Sequence, residues 1–98
     1  MVYLNNSNVV IKSEQLSKGG ITGTVVDVRL VMKNALDCNA VALVLAHNHP
    51  SGTLRPSNTD KAITKKLKSA SDAMDIKILD HLIVTDSGYF SFADHQLL

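Results

Sequence analysis

Apolar positions along the chain fall into blocks, and the spacing within each block predicts its secondary structure. In residues 27–38 and 58–74 apolar side chains recur every three or four positions, which is typical of helices with one buried face. Asp27 is a plausible N-cap of the first helix. Residues 40–46 are apolar at every position, as expected for a strand that is covered on both faces. The polar break at His47 favours a strand over a short buried helix.

Shorter apolar segments, separated by turn-forming residues, predict the remaining strands. Residues 2–4 and 9–11 flank a cluster of asparagine and serine, which indicates two strands and a connecting turn. Residues 76–85 and 89–92 flank the turn sequence Asp-Ser-Gly and predict a hairpin. The order of these elements predicts an α/β fold, in which one small mixed β-sheet is sandwiched by helices, one on each side.

Length and composition suit one compact domain that spans residues 1–98, because 45% of the 98 residues are hydrophobic. Ten lysines and arginines against nine acidic residues give a net charge of +1, which does not indicate a polyanionic partner. Cys38 is the only cysteine, so an internal disulfide and a cysteine-rich zinc site are excluded.

No basic and apolar leader opens the chain, and no apolar run approaches the length of a membrane span. We therefore expect a cytoplasmic protein without membrane association.

Two histidines follow the apolar strand and could share one metal ion. His47 and His49 are two positions apart at the strand exit, so their side chains project from the same side of the backbone. Asp60 falls in the first turn of the second predicted helix, where the helix dipole favours an ionised carboxylate. Two nitrogens and one oxygen form the ligand set of a catalytic zinc site that leaves its fourth position to water. These residues predict one Zn²⁺ per chain, bound by His47, His49 and Asp60.

Ser57 has two predicted roles. Its hydroxyl could donate a hydrogen bond to a metal-bound water or to a developing oxyanion. Ser57 and Asp60, three positions apart before an apolar-periodic segment, also form a capping box, and an isolated His-x-His is often only a pair of surface histidines. The combination favours the metal site: His-x-His, seven residues, Ser, two residues and Asp stand between a strand exit and a helix start. Capping is compatible with it, since Ser57 can cap while Asp60 coordinates.

Three segments carry motifs that are more specific than the ligand spacing. They are SKGGITGT at residues 17–24, HNHPSG at 47–52 and LDHLIV at 79–84. Together with the ligand spacing, they resemble RadC-type proteins of the JAMM/MPN (JAB) metallohydrolase superfamily. The resemblance implies a C-terminal MPN domain of the cytidine-deaminase-like α-β-α arrangement. It also implies zinc-dependent hydrolysis of a peptide or isopeptide bond by a metal-activated water, and it carries a traditional link to DNA repair.

The chain departs from the family pattern at its start. The resemblance places the general base of the reaction on a glutamate that would precede Met1, and an upstream helix-hairpin-helix region would also lie outside the chain. Glu14, the only glutamate, is better explained as a solvated strand residue. We therefore interpret residues 1–98 as a single RadC-like domain without the start of its first strand, either a fragment or a truncated paralogue. Its hydrolysis should be impaired, because general-base catalysis typically contributes 10²–10⁴-fold.

Two further groups of residues allow more than one interpretation. Asp80 and His81 could form hydrogen bonds to a metal ligand, or they could be a partly buried structural pair. The second helix carries a local basic patch of four lysines, Lys61, Lys65, Lys66 and Lys68. That patch supports an alternative function: a non-catalytic, DNA-repair-associated module that binds nucleic acid or protein and keeps a structural metal site.

The predicted partners follow from these features. A peptide or protein substrate is expected of the hydrolase, and the balanced charge predicts weak or no direct DNA binding by this chain. The oligomeric state and the particular substrate are left open by the sequence.

Overall fold

The computed structural model describes residues 1–13, 26–49 and 51–98. It contains the predicted strands and helices, with bounds that differ from the predicted ones by at most two residues. The strands are β1 Val2–Leu4, β2 Val10–Ser13, β3 Ala42–Asn48, β4 Lys77–Thr85 and β5 Gly88–Ser91, and the helices are α1 Val28–Asp37 and α2 Asn58–Ala73. The segment SKGGITGT and Glu14 lie outside the described residues.

The five strands form one mixed sheet in the order β2-β1-β3-β4-β5. The β3–β4 pair is parallel, and the other neighbouring pairs are antiparallel. This confirms the predicted α/β class and the mixed sheet. Neither described helix is long and apolar enough to cross a membrane.

Both described helices pack on the same face of the sheet. The Ser71 hydroxyl of α2 lies 4.0 Å from the sulfur of Met32 on α1, and both helices contribute to one core cluster. Topology explains this arrangement. The two helices connect successive strands that run in the same direction, and both crossovers advance the same way across the sheet. Right-handed crossovers of this kind place their helices on one side. The sequence had instead predicted one helix on each side.

The core lies between the sheet and these helices. Its most buried side chains come from strands and helices alike and include Tyr3, Leu43, Leu67, Ile83 and Phe92. On α1 the buried apolar residues follow at spacings of three and four, which is the stripe that the sequence predicted.

An irregularity in the β3–β4 register decides which side of β4 faces the core. Leu43 pairs with Ile78, whereas the next residue of β3, Val44, pairs with Asp80, so that one residue of β4 is left out of the pairing. Beyond this point His81 lies beside Leu45 on the helix face, and Asp80 lies on the opposite face. The extra residue therefore turns His81, and not Asp80, toward α2.

Each helix ends in the same type of C-terminal motif, which leads the chain into the next strand. After α1 the N–H of Ala40 donates to the carbonyl of Ala35 (2.9 Å), and after α2 the N–H of Ile76 donates to the carbonyl of Ser71 (2.9 Å). In the turn that follows α2, Asp75 has a φ of 57°, a backbone conformation that favours glycine.

Replacing Asp75 with glycine should therefore stabilise the protein, because the left-handed backbone conformation at this position is strained for a residue with a Cβ atom. We expect Asp75→Gly to raise the free energy of unfolding by about 0.5–1 kcal/mol in urea denaturation. Asp72→Gly makes the same change inside α2 and also removes the exposed ion pair with Lys68; as the control, it should lower the free energy of unfolding by about 1 kcal/mol. Equal destabilisation by both variants would show that the turn is not strained.

Candidate metal centre

The predicted metal ligands meet where β3 ends and α2 begins. His47 belongs to β3, and the N–H of His49 donates to the carbonyl of Val84 (3.2 Å), which keeps the chain paired with β4 just beyond the strand. Asp60 is the third residue of α2. The ligand atoms of His47, His49 and Asp60 all lie within 4.8 Å of one another, and the three side chains are partly buried. The cluster could hold a metal ion.

Short distances separate the ligand atoms. His47 Nε2 lies 2.9 Å from His49 Nε2 and 3.3 Å from Asp60 Oδ1, and His49 Nε2 lies 3.1 Å from Asp60 Oδ2. Nitrogen lone pairs and carboxylate oxygens repel one another at these separations unless a proton or a cation lies between them. This convergence of electron-rich atoms fits a bound cation.

Asp60 also closes the capping box at the start of α2. The N–H of Ser57 donates to Asp60 Oδ2 (2.8 Å), and the N–H of Asp60 donates to Ser57 Oγ (3.0 Å). Partial burial acts to raise the pKa of Asp60. The hydrogen bonds from Ser57 and the neighbouring histidines outweigh it and hold that pKa below its ordinary value. The carboxylate is thus ionised, as a metal ligand must be.

The tautomer of His49 follows from its hydrogen bond to the backbone. Its Nδ1 lies 2.9 Å from the carbonyl oxygen of Thr53. A carbonyl oxygen only accepts, so Nδ1 carries the proton and Nε2 of the neutral ring carries a lone pair. That lone pair faces His47 and Asp60. The same loop is closed by the N–H of Gly52, which donates to the carbonyl of His49 (3.0 Å).

His81 adjoins the cluster from β4. Its Nε2 lies 2.8 Å from His47 Nδ1, its Nδ1 contacts the hydroxyl of Thr64, and its ring stacks on Phe92 at 4.4 Å between centroids. Burial, and next the charge of His47, lower the pKa of His81 to about 4. Burial likewise lowers the pKa of His47, although the Asp60 carboxylate partly opposes it. His81 is therefore neutral near pH 7.

Asp80 lies away from the cluster, on the other face of the sheet. Its carboxylate accepts hydrogen bonds from the Ser91 hydroxyl (2.6 Å), from the N–H of Ala93 (3.1 Å) and from the N–H of His81 (2.7 Å). The Asp80-His81 pair is thus divided: His81 contacts a predicted ligand, and Asp80 ties β4 to the turn that follows β5.

Two contributors to the site were not identified from the sequence. Thr64 stands four residues after Asp60 on α2 and so shares its helix face, a spacing that could have drawn attention to it. The carbonyl of Thr53 is a backbone group in a loop, and no side-chain pattern marks it.

The fold and the site together define the class of this protein. It is an α/β domain with a mixed sheet, whose His-His-Asp cluster could hold a metal ion at the carboxyl end of a parallel strand pair. Comparison with known proteins then identifies the family. The sequence pattern of the RadC-like JAB domain family matches residues 1–97, and the chain belongs to that family. The resemblance predicted from the motifs is confirmed.

Proteins of several bacteria are similar to the chain. A UPF0758 protein of Flavobacterium johnsoniae is 61% identical over 97 residues, which cover 99% of the chain and 42% of the relative. UPF0758 proteins of Haemophilus influenzae and Porphyromonas gingivalis are 49% identical over 98 residues and 48% identical over 99 residues. Each of these two matches covers 100% of the chain and 44% of the relative. The chain thus spans less than half the length of these relatives.

Removal of either imidazole should abolish metal binding, because the remaining two ligands are too few for a stable site. We expect about one zinc ion per chain after addition of stoichiometric zinc and gel filtration. His47→Ala and His49→Ala should retain almost none by elemental analysis. His95→Ala, which changes a histidine outside the cluster, is the control. Full zinc occupancy in both ligand variants would disprove the site.

The metal-free protein should lose stability as the pH falls from 6.5 to 4. In this range the unfolded chain protonates His81, whereas the folded chain keeps it neutral, so unfolding takes up a proton. The free energy of unfolding should therefore be highest above pH 6.5 and should decrease by up to roughly 3 kcal/mol toward pH 4. Urea denaturation in the presence of a chelator measures it. His81→Phe should show a smaller pH dependence, and an equal one would refute the assignment to His81.

Proposed function

We propose that this domain is a zinc-binding metallohydrolase domain that cleaves peptide or isopeptide bonds by a metal-activated water. The observation that carries the proposal is the convergence of His47 Nε2, His49 Nε2 and the Asp60 carboxylate on one point. Family membership supports it. Two imidazoles and one carboxylate are a common ligand set of catalytic zinc, and ligands of a tetrahedral zinc ion lie about 3.3 Å apart. The observed separations of 2.9–3.3 Å fit that ion.

The residues of the chain would divide the chemistry between them. When bound, zinc would lower the pKa of a coordinated water to about 7. His47, His49 and Asp60 would hold the ion at the edge of the sheet. Ser57 Oγ accepts from the N–H of Asp60, and the Ser57 hydroxyl also forms a hydrogen bond with the Asp60 carboxylate. On substrate binding this hydroxyl proton would turn to a substrate carbonyl that gains negative charge. Ser57 can therefore serve as helix cap and as oxyanion donor at the same time.

Hydrolysis of a peptide bond also needs a group that moves a proton from water to the leaving amine. Among the described residues, Asp60 is engaged with Ser57 and the histidines, and the Asp80 carboxylate lies on the other face of the sheet. Both ring nitrogens of His81 are engaged with other side chains. The family resemblance places the base on a glutamate that would precede Met1 and not on Glu14, which lies outside the described residues. We infer that this family glutamate is the base and that the 98-residue chain alone hydrolyses slowly.

An N-terminal extension that carries this glutamate should raise the activity. We expect kcat/KM on fluorogenic peptide and isopeptide substrates to increase by at least about 10²-fold over the 98-residue chain. The same extension with Gln in place of Glu is the matched control, and it should leave the rate unchanged while zinc occupancy stays equal. If the unextended chain cleaves these substrates as fast as the extended one, the proposed base plays no part.

The alternative function, an interaction module with a structural metal, depends on the lysines of α2. Lys61, Lys65 and Lys66 are exposed, and Lys68 forms an ion pair with Asp72 (Nζ–Oδ2 3.2 Å). Exposed lysines on a helix are ordinarily solvated, and a net charge of +1 gives no strong attraction for phosphates. The described residues therefore favour the hydrolase over this alternative.

A further inference from the structure

We propose that Thr64 and His81 are positioning residues that fix the tautomer of His47 and thereby turn its unprotonated Nε2 toward the metal. The inference rests on the proposed metal site and adds to it two residues that would not touch the ion. A chain of hydrogen bonds carries it. The chain starts at the backbone carbonyl of Asp60, passes through Thr64 and His81, and ends at His47.

The first step fixes the direction of the Thr64 hydroxyl. Thr64 Oγ1 lies 2.8 Å from the carbonyl oxygen of Asp60. Since a carbonyl oxygen only accepts, the single hydroxyl proton of Thr64 points to it. At its other contact, with His81 Nδ1, the hydroxyl oxygen must therefore accept. His81 Nδ1 carries a proton.

The second step transfers this constraint to His47. His81 is only 2% exposed and is stacked on Phe92, and an uncompensated charge there would be costly. A neutral His81 with its proton on Nδ1 has a lone pair on Nε2. The contact of 2.8 Å between His81 Nε2 and His47 Nδ1 is then a hydrogen bond only if His47 Nδ1 donates. Nε2 of neutral His47 is left unprotonated.

The third step is the consequence for the site. His47 Nε2 is the atom that lies 2.9 Å from His49 Nε2 and 3.3 Å from Asp60 Oδ1. In the other neutral tautomer a proton would sit on this atom and would have to leave before a metal could bind. The hydrogen-bond chain removes that competing tautomer. It also links two ligand-bearing elements, because it begins at Asp60 on α2 and ends at His47 on β3.

Two substitutions break the chain without touching a ligand. Thr64→Val keeps the branched shape and removes the hydroxyl, and His81→Phe keeps a ring beside Phe92 and removes both nitrogens. Each should weaken zinc affinity by about 10–100-fold, as measured by competition with a chromogenic chelator at fixed pH. Thr64→Ser retains the hydroxyl and should bind zinc like the parent chain. Thr59→Val makes the same change at an exposed position of α2 and should also have no effect.

The tautomers themselves can be observed in the metal-free protein by ¹⁵N chemical shifts of the imidazole rings, at a pH high enough that no additional proton bridges the ligand atoms. We expect protons on Nδ1 of both His47 and His81 in the parent chain and in Thr64→Ser. In His81→Phe we expect His47 to lose its preference for the tautomer that is protonated on Nδ1. A proton on His47 Nε2 in the parent chain would overturn the inference, even if a variant fails to fold. Unchanged zinc affinity in folded Thr64→Val and His81→Phe would overturn it as well.

This design separates the two proposals. If the parent chain shows the expected tautomers but binds no zinc, the proposed function fails and the hydrogen-bond chain stands. If it binds zinc with the opposite tautomer at His47, the proposed site stands and the positioning role fails.

Discussion

The parallel pairing of β3 with β4 is the constraint on which the site depends. Parallel neighbours cannot be joined by a tight turn, so the chain must cross back along the sheet, and α2 makes that crossing. Such a helix begins near the carboxyl end of the strand it follows. His47 and His49 at the exit of β3 therefore lie beside the first turn of α2, where Asp60 stands. His49 and Asp60 are eleven positions apart in the sequence, and the crossover brings their side chains together.

Several levels of this arrangement could be predicted from the sequence. The periodicity of apolar residues located both helices, and Asp27 and Ser57 marked their first turns, since capping is a local interaction between near neighbours. The metal cluster could be predicted for a related reason. A two-residue spacing at a strand exit and a carboxylate at a helix start are local features, and only their meeting requires the fold.

Features that depend on strand order or register could not be predicted in the same way. The placement of both described helices on one face follows from the order β2-β1-β3-β4 and the direction of each crossover, and neither is encoded in local periodicity. Asp80 and His81 are adjacent polar residues in a strand, and alternation alone does not decide which one faces the core. The register shift beside Val44 decides it. If β4 had no residue left out of the pairing at this point, the pleat would direct Asp80 toward α2 and His81 away from His47.

Asp60 illustrates how closely the fold and the proposed chemistry are joined. Its carboxylate accepts from the N–H of Ser57, its N–H donates to Ser57 Oγ, and its backbone carbonyl accepts from Thr64. A substitution of Asp60 would remove a ligand and the capping box together, so a loss of metal affinity in that variant could not be assigned to either. His81 and Thr64 differ in this respect, because they are buried beside the cluster and cap no helix. The contribution of the hydrogen bonds around the site is therefore measured more clearly at those two positions than at the ligands themselves.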